Sequence, residues 1–324
     1  MILYLYINIL QGETFMQNMW KKDYWNLLYN SYDEIAIKKS RNLRHCKFPE
    51  KLYRYRDVND YSKEELESSR VWLSHPNDFN DPYDSFFSLN TFEHVSRNLL
   101  KSKTIFNKNY GKIISDLNID LDTYFDEIIT KDNPLEFLFY DLSEKAQINS
   151  GSEVYKILKE TINELNQEKI NYYRSHWCVA CFSEVNDSIL MWSHYSNNHE
   201  GFCIEYDFKN VDTPIYMDLI RPVIYDDKIV ESYINKKPSL IIGALTKKSK
   251  CWSYENEWRL VIEHDIVKNN RKYIVPKAKS IYLGCKISAK NKDLLISIAK
   301  DRNISVYQMK MCSDEFKLIS NKIL

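Results

Sequence analysis

Two short stretches place charged side chains on one face of an extended chain. In Trp252-Ser-Tyr-Glu-Asn-Glu-Trp-Arg-Leu-Val-Ile262, a strand that buries Trp258, Leu260 and Ile262 turns Glu257 and Arg259 together to the opposite face. A carboxylate and a guanidinium two residues apart form a fixed pair that can be aimed into a cleft. The plain alternative is an edge-strand salt bridge worth little. In Leu52-Tyr-Arg-Tyr-Arg56 the same alternation puts Arg54 and Arg56 on one face and Tyr53 and Tyr55 on the other. Two arginines sharing a face need anions. Glu257 and Asp81 are candidates, as is a ligand phosphate held by both ends of a guanidinium.

Other clusters weigh less. Asp78, Asn80, Asp81 and Asp84 crowd one loop; their oxygens suit Mg²⁺ or Ca²⁺, but the spacing matches no EF-hand, and turn and capping chemistry explains most of it. Cys178-x-x-Cys181, with His176, His194 and His199 in the same region, invites a zinc reading. On a strand, however, residues three apart diverge, so buried core cysteines are the better expectation, and no metal is expected. Ser193, His194 and Tyr195 fall on a helix, where neighbours point ~100° apart and do not make a nucleophile–base pair.

The elements that carry these residues read as follows. Residues 17–47 are helical in pattern, with Trp20, Tyr24, Leu27 and Leu28 on one stripe. Strands are expected at 52–56, 71–74, 177–182, 201–208, 221–226, 256–263, 280–285 and 304–309. A helix is expected to start at Ser62, with Glu65 three residues on, and another to be capped by Asp187 and run through Tyr195. Further helices are expected near 228–250 and 289–301. The fold class is α+β: a mixed central sheet with flanking helices and an all-helical insertion. The organisation is an N-terminal extension and helix over 1–50, a core of 51–90 with 175–324, and the insertion at 91–174. Residues 1–15 read better as an upstream extension than as a strand.

The bulk properties exclude several classes. Over 324 residues, Lys+Arg and Asp+Glu both number 45, so the zero net charge argues against generic nucleic-acid binding. Seven cysteines, an odd number spread from Cys46 to Cys312, are no disulfide framework and fit a reducing, cytoplasmic setting. No stretch reaches the ~20 apolar residues of a membrane span, so no membrane partner is expected. With only 6 glycines there is no phosphate-binding Gly-rich loop.

Taken in order, Leu52-Tyr-Arg-Tyr-Arg56, Phe79-Asn-Asp-Pro-Tyr-Asp84, Cys181-Phe-Ser183, Met191-Trp-Ser-His-Tyr195, Gly201-Phe-Cys-Ile-Glu-Tyr-Asp207 and Tyr254-Glu-Asn-Glu-Trp-Arg259 resemble a bacterial domain-of-unknown-function family, number 2971. That resemblance implies a site shared by these blocks and, by analogy, an accessory or anti-phage role. A more distant resemblance is to the ADP-ribosyltransferase superfamily. It implies an NAD-using transferase or NAD glycohydrolase. Arg54 or Arg56 would anchor NAD, and Tyr195 or Ser193 would serve as the nicotinamide platform. Glu257 would be the catalytic acid, with Glu255 completing a Glu-x-Glu pair. Asp81 and Arg259 are expected beside the same small-molecule nucleotide, with a protein or nucleic-acid acceptor. Two rivals stand beside it: a non-catalytic sensor of a phosphorylated ligand or protein partner, and a nuclease using the Asp78–Asp84 loop to hold Mg²⁺.

Overall fold

The computed structural model describes residues 19–30, 33–89, 100–147, 151–211, 215–232 and 239–324. The expectation for residues 1–15 lies outside them, as does the expected start of the helical insertion at 91. The described chain forms two compact units. One runs to Phe86 and takes up Tyr173–Val230 and the chain from residue 239; the other is Phe87–Tyr172 with residues 231–232.

The second unit is helical. Lys103–Asp116, Leu121–Ile128 and Pro134–Lys145 pack Phe106, Ile114, Tyr124, Phe125, Ile128, Leu135 and Leu138 into a core of their own. Each of the first two helices opens on a side-chain cap, Ser102 accepting from the Ile105 amide and Asp120 from the Thr123 amide.

The first unit is built on a mixed eight-stranded sheet. Its strands are β1 (Leu52–Arg56), β2 (Trp177–Ser183), β3 (Phe202–Tyr206), β4 (Ile220–Pro222), β5 (Glu257–Glu263), β6 (Ser280–Leu283), β7 (Ser305–Met311) and β8 (Leu318–Lys322). Across the sheet they run β8-β7-β6-β3-β1-β2-β5-β4. Only β6 and β7 pair in parallel, and the Ala289–Asp301 helix lies between them in the chain; every other neighbouring pair is antiparallel.

Alternation decides the two faces. Leu52, Phe182, Phe202, Ile204, Tyr206, Trp258, Leu260 and Ile262 enter the large core with Leu66, Leu295 and Ile298 from helices. Tyr53, Tyr55, Cys203 and Tyr282 enter a smaller core on the other face, against Met191 and Trp192 of the Ile189–Tyr195 helix. Trp258 is fully buried, which stabilises the fold by about 2–3 kcal/mol. Glu257 and Arg259 are therefore carried on the face opposite Trp258, as their spacing predicts.

The centre of the sheet has one irregularity. β1 pairs with β3 over five residues, Leu52↔Tyr206 through Arg56↔Phe202, but with β2 only at Tyr53↔Ser183. Beyond that pair the strands part. Arg54 occupies the gap, donating from Nη1 to the Cys181 carbonyl (3.1 Å) and from Nη2 to the Trp72 carbonyl (3.2 Å). A guanidinium thus satisfies a carbonyl that a ladder rung would otherwise take.

Several boundaries differ from the sequence expectation. The helix expected from Ser62 spans Asp60–Ser68; Asn59 is its cap and Ser62 the third residue of a reciprocal capping box. Ser188, not Asp187, caps the Ile189–Tyr195 helix. Of the helix expected at 228–250, the described residues show Ser239–Leu245, with strands at Val230–Ser232 and Lys247–Lys248 where helix was expected. Lys247–Lys248 pairs in parallel with Ile224–Tyr225, a long-range pairing that overrides local helix propensity.

Candidate functional site

Where β1 and β2 part, the first unit contains a cleft with a cavity volume of about 220 Å³. Arg54, Arg56, Tyr195, Glu255 and Glu257 all line it. Alternation sends Arg54 and Arg56 to the large-core face and Glu257 to the other, and residues of both faces border the cleft because the sheet opens between β1 and β2.

The back wall is a buried ion network. Arg259 has no solvent exposure and spends its whole guanidinium on four groups. It donates from Nε and Nη2 to the two oxygens of Glu257 (2.7 and 2.9 Å). It donates from Nη1 and Nη2 to the two oxygens of Asp84 (2.7 Å each), and from Nη1 to Ser85 Oγ and the Leu245 carbonyl. Lys248 Nζ adds contacts to Glu255 (2.6 Å), Asp84 (3.3 Å) and Glu257 (3.5 Å). Three carboxylates thus face two cations, leaving one negative charge in excess when all are ionised. Unpaired, each of these charges would cost several kcal/mol to bury; the bidentate geometry offsets that cost.

The two glutamates differ in state. Burial would raise Glu257, but the Arg259 guanidinium and then Lys248 outweigh it and hold the carboxyl far below the usual range. Glu255 goes the other way. Burial, and next the neighbouring Glu257 charge, push it up from 4.5 to about 7 against the pull of Lys248 and Tyr195. One carboxyl is therefore locked as an anion, and the other changes protonation near neutral pH. The backbone explains how both reach the same site. Lys250–Glu255 is a 3₁₀ turn, and Asn256 follows it in the left-handed region (φ 43°) before β5 begins at Glu257. Asparagine tolerates that conformation. Ser183 Oγ pins the turn by donating to the Glu255 carbonyl (2.6 Å).

On the cleft side, Tyr195 donates its hydroxyl to Glu255 Oε1 (2.7 Å), while Lys248 holds Oε2. His194 Nδ1 lies 3.1 Å from the Tyr254 hydroxyl, and Trp252 packs 6.0 Å from Tyr254.

The opposite wall is cationic. Glu65, from the Asp60–Ser68 helix, lies 3.1 Å from Arg54 Nε and 3.3 Å from Arg56 Nε, contacts that lack hydrogen-bond alignment. It also accepts from the Tyr206 hydroxyl (3.0 Å). One carboxylate thus serves two guanidinium groups. The terminal nitrogens of Arg56 have no partner among the described residues, its side chain is 23% exposed, and the residue borders the cleft. Burial, and then Arg54 beside it, lower its pKa, so the cation is held at a cost that an anion would relieve.

The remaining expected residues lie elsewhere. Asp81 does not line this cleft; it accepts from the Tyr83 amide (2.9 Å) and borders a neighbouring cavity of about 440 Å³. Glu65 is the anion between Arg54 and Arg56, where Glu257 and Asp81 were the candidates, and Asp84 of the same loop as Asp81 pairs with Arg259. Ser193 Oγ donates to the Ile189 carbonyl (2.9 Å) and lies 3.1 Å from His199 Nε2, and it does not line the cleft. Cys181 lines the site with the rest of its block, and Lys248 lines it though it was not expected there. Lys248 falls in the stretch read as helix, and its partners are up to 164 residues away (Asp84), beyond any local spacing signal.

One family model matches. It is described as a protein of unknown function (DUF2971) and covers residues 191–260. The matched segment is similar to that family and carries Tyr195, Lys248, Glu255, Glu257 and Arg259; the arginine strand and Asp84 lie outside it. No curated protein and no solved structure matches the chain. Among the described residues no helix is long and apolar enough to cross a membrane.

Proposed function

We propose that the cleft binds a phosphate-bearing nucleotide and that the protein is an NAD-using glycosyl-transfer enzyme of ADP-ribosyltransferase or NAD-glycohydrolase type. The observation that carries the reading is that Arg56, whose terminal nitrogens have no partner among the described residues, and the Tyr195–Glu255 pair border one cleft. Arg56, backed by Arg54, is the phosphate contact. The cleft's volume is below the roughly 300–1,000 Å³ usual for ligand sites, so it suits one half of a dinucleotide. The neighbouring cavity shares Asn80 and Lys248 with it and reaches Trp252, giving a continuation for the other half.

In this reading the bond between the ribose anomeric carbon and the nicotinamide nitrogen breaks, and nicotinamide leaves with the electron pair. The excess negative charge of the back wall stabilises the positive charge left on the sugar. Water or an acceptor nucleophile then bonds to that carbon, and Glu255 takes its proton. Glu257 is a positioning residue, because its bidentate pairing with the buried Arg259 locks it as an anion, whereas the Glu255 carboxyl is raised to about 7.

The sensor reading has one observation in its favour: the back-wall network is complete without a ligand. The nuclease reading would need the Asp78–Asp84 loop to release its carboxylates, since Asp84 is held by Arg259 and Asp78 by Arg271 (3.1 Å). Calorimetric titration of ADP-ribose and NAD into wild type and Arg56→Ala tests the binding. Loss of the charge-assisted contact should weaken affinity about 10- to 100-fold. Equal affinity in the two proteins would remove Arg56 from the site, and no binding to wild type would remove the site.

A further inference from the structure

We propose that His75, Cys178 and His264 form a second site, for a divalent metal ion of zinc type, with the fourth coordination position left to water. The site is independent of the nucleotide cleft. Its ligand atoms lie within 4.8 Å of one another. Cys178 Sγ is 3.7 Å from His75 Nδ1 and 3.7 Å from His264 Nδ1. A tetrahedral zinc with Zn–S near 2.3 Å and Zn–N near 2.05 Å separates sulfur from nitrogen by about 3.6 Å. The Cys178–His264 separation therefore already has the span of a coordinated ion, and the Cys178–His75 separation has it once His75 Nδ1 is deprotonated.

Backbone register, and not loop accident, brings the three together. Ser74 and Val179 form an antiparallel bridge with both hydrogen bonds made (2.9 and 2.8 Å), which sets the next residue, His75, against Cys178. In the β5–β2 ladder Ile262 pairs with Cys178, and the His264 amide donates to the His176 carbonyl (2.8 Å). His264 thus continues the ladder by two residues and falls on the same side as Cys178, diagonal to it. His75 Nδ1 also lies 3.0 Å from the Trp177 carbonyl, an acceptor, so that nitrogen carries the proton in the metal-free protein and ligates only by giving up this bond.

The residue types fit a borderline-soft ion: one thiolate and two imidazoles suit zinc, whereas magnesium and calcium take oxygen ligands. Cys178 is fully buried, while both histidines are partly exposed, so the ion has an entry path and an open side for water. On binding, the thiol and any protonated ring nitrogen at the ligand position each give up a proton to solvent. The alternative is a pair of weak thiol–imidazole hydrogen bonds and no metal. Local spacing hides the site, because its ligands are 103 and 86 residues apart in sequence.

The test uses the full chain, stripped with chelator and titrated with Co²⁺ and then Zn²⁺. One equivalent of Co²⁺ should produce a thiolate-to-cobalt charge-transfer band and tetrahedral d–d absorption, both abolished by one equivalent of Zn²⁺. His264→Gln should weaken binding by at least about 100-fold, since even loss of an outer-shell partner costs 10- to 100-fold. Cys178→Ser should lose the thiolate band; if that buried variant fails to fold, His264→Gln decides alone. Cys285→Ser is the control for the other close pair, Cys285 Sγ and His199 Nδ1 at 3.7 Å, and should bind like wild type. No cobalt band in wild type, or binding unchanged in His264→Gln, would leave only thiol–imidazole hydrogen bonds and overturn the proposal. A band lost in Cys285→Ser would do the same.

Discussion

Glu255→Gln should change how stability depends on pH, by an amount the site itself sets. The carboxyl stands at about 7 in the folded protein against 4.5 as its ordinary value. Between those pH values the folded chain holds a proton that the unfolded chain has released. Stability therefore falls as pH rises through this window, the opposite of the usual carboxylate case. Two and a half pH units at 1.36 kcal/mol each come to about 3 kcal/mol. Glu257 acts outside the window, because its folded carboxyl lies below 4.5 and its contribution is lost only as pH falls further. Burial, and then Lys286, lower the His199 pKa, so its contribution grows with pH. It is common to both proteins and cancels in the difference. Glutamine removes the titration but cannot accept from both Tyr195 and Lys248 as freely as the carboxylate does, so a constant loss of about 1 kcal/mol is expected as well. Urea unfolding of both proteins at pH 4.5, 6 and 8 provides the assay. The wild-type minus variant stability should decline by up to about 3 kcal/mol from the lowest pH to the highest. Parallel pH curves would refute the reading of Glu255 as the carboxyl raised by burial and by Glu257.

Two further outcomes follow from the packing. Asp84→Asn leaves Arg259 without one of its two buried carboxylates and should cost about 3 kcal/mol or more in chemical denaturation, whereas Asp81→Asn should cost under about 0.5 kcal/mol; equal costs would mean the network is not the support described. At Gly201 an added Cβ would lie 2.2 Å from the Arg56 carbonyl and 2.9 Å from Ser196, so Gly201→Ala should destabilise by about 1–3 kcal/mol and weaken nucleotide binding by displacing the arginine strand, which thermal melting and titration of the same sample would check.

How much of this was legible in the sequence follows from distance along the chain. Alternation in Leu52–Arg56, in 201–208 and in β5 sorted the side chains onto the faces they occupy, because a strand's period of two leaves little choice. The same argument read Cys178 and Cys181 as diverging. Cys178 lies in the large core, while Cys181 lines the cleft near Glu257. Partner choice was not legible. Four acidic or amide residues crowd 78–84, and only the fold selects Asp84 for Arg259 across 175 residues. Nothing in the arginine strand points to Glu65, and the register that joins His75, Cys178 and His264 exists only once Ser74 meets Val179. Lys248 was hidden by a wrong element: a lysine inside an expected helix reads as solvent-facing, whereas on a short parallel strand it is buried against Glu255.

In the proposed reaction on NAD, Glu255 moves a proton while Glu257 only holds the wall. Nicotinamide release from NAD by wild type, Glu255→Gln and Glu257→Gln, each with its melting temperature and NAD affinity measured on the same preparation, tests it most directly. Glu255→Gln should lose about 10²–10³ in rate with NAD affinity kept. Glu257→Gln should chiefly lose stability, by about 3–5 kcal/mol, because Arg259 is left without that carboxylate. Wild type that releases no nicotinamide, or Glu255→Gln that turns over as fast as wild type, would contradict the claim.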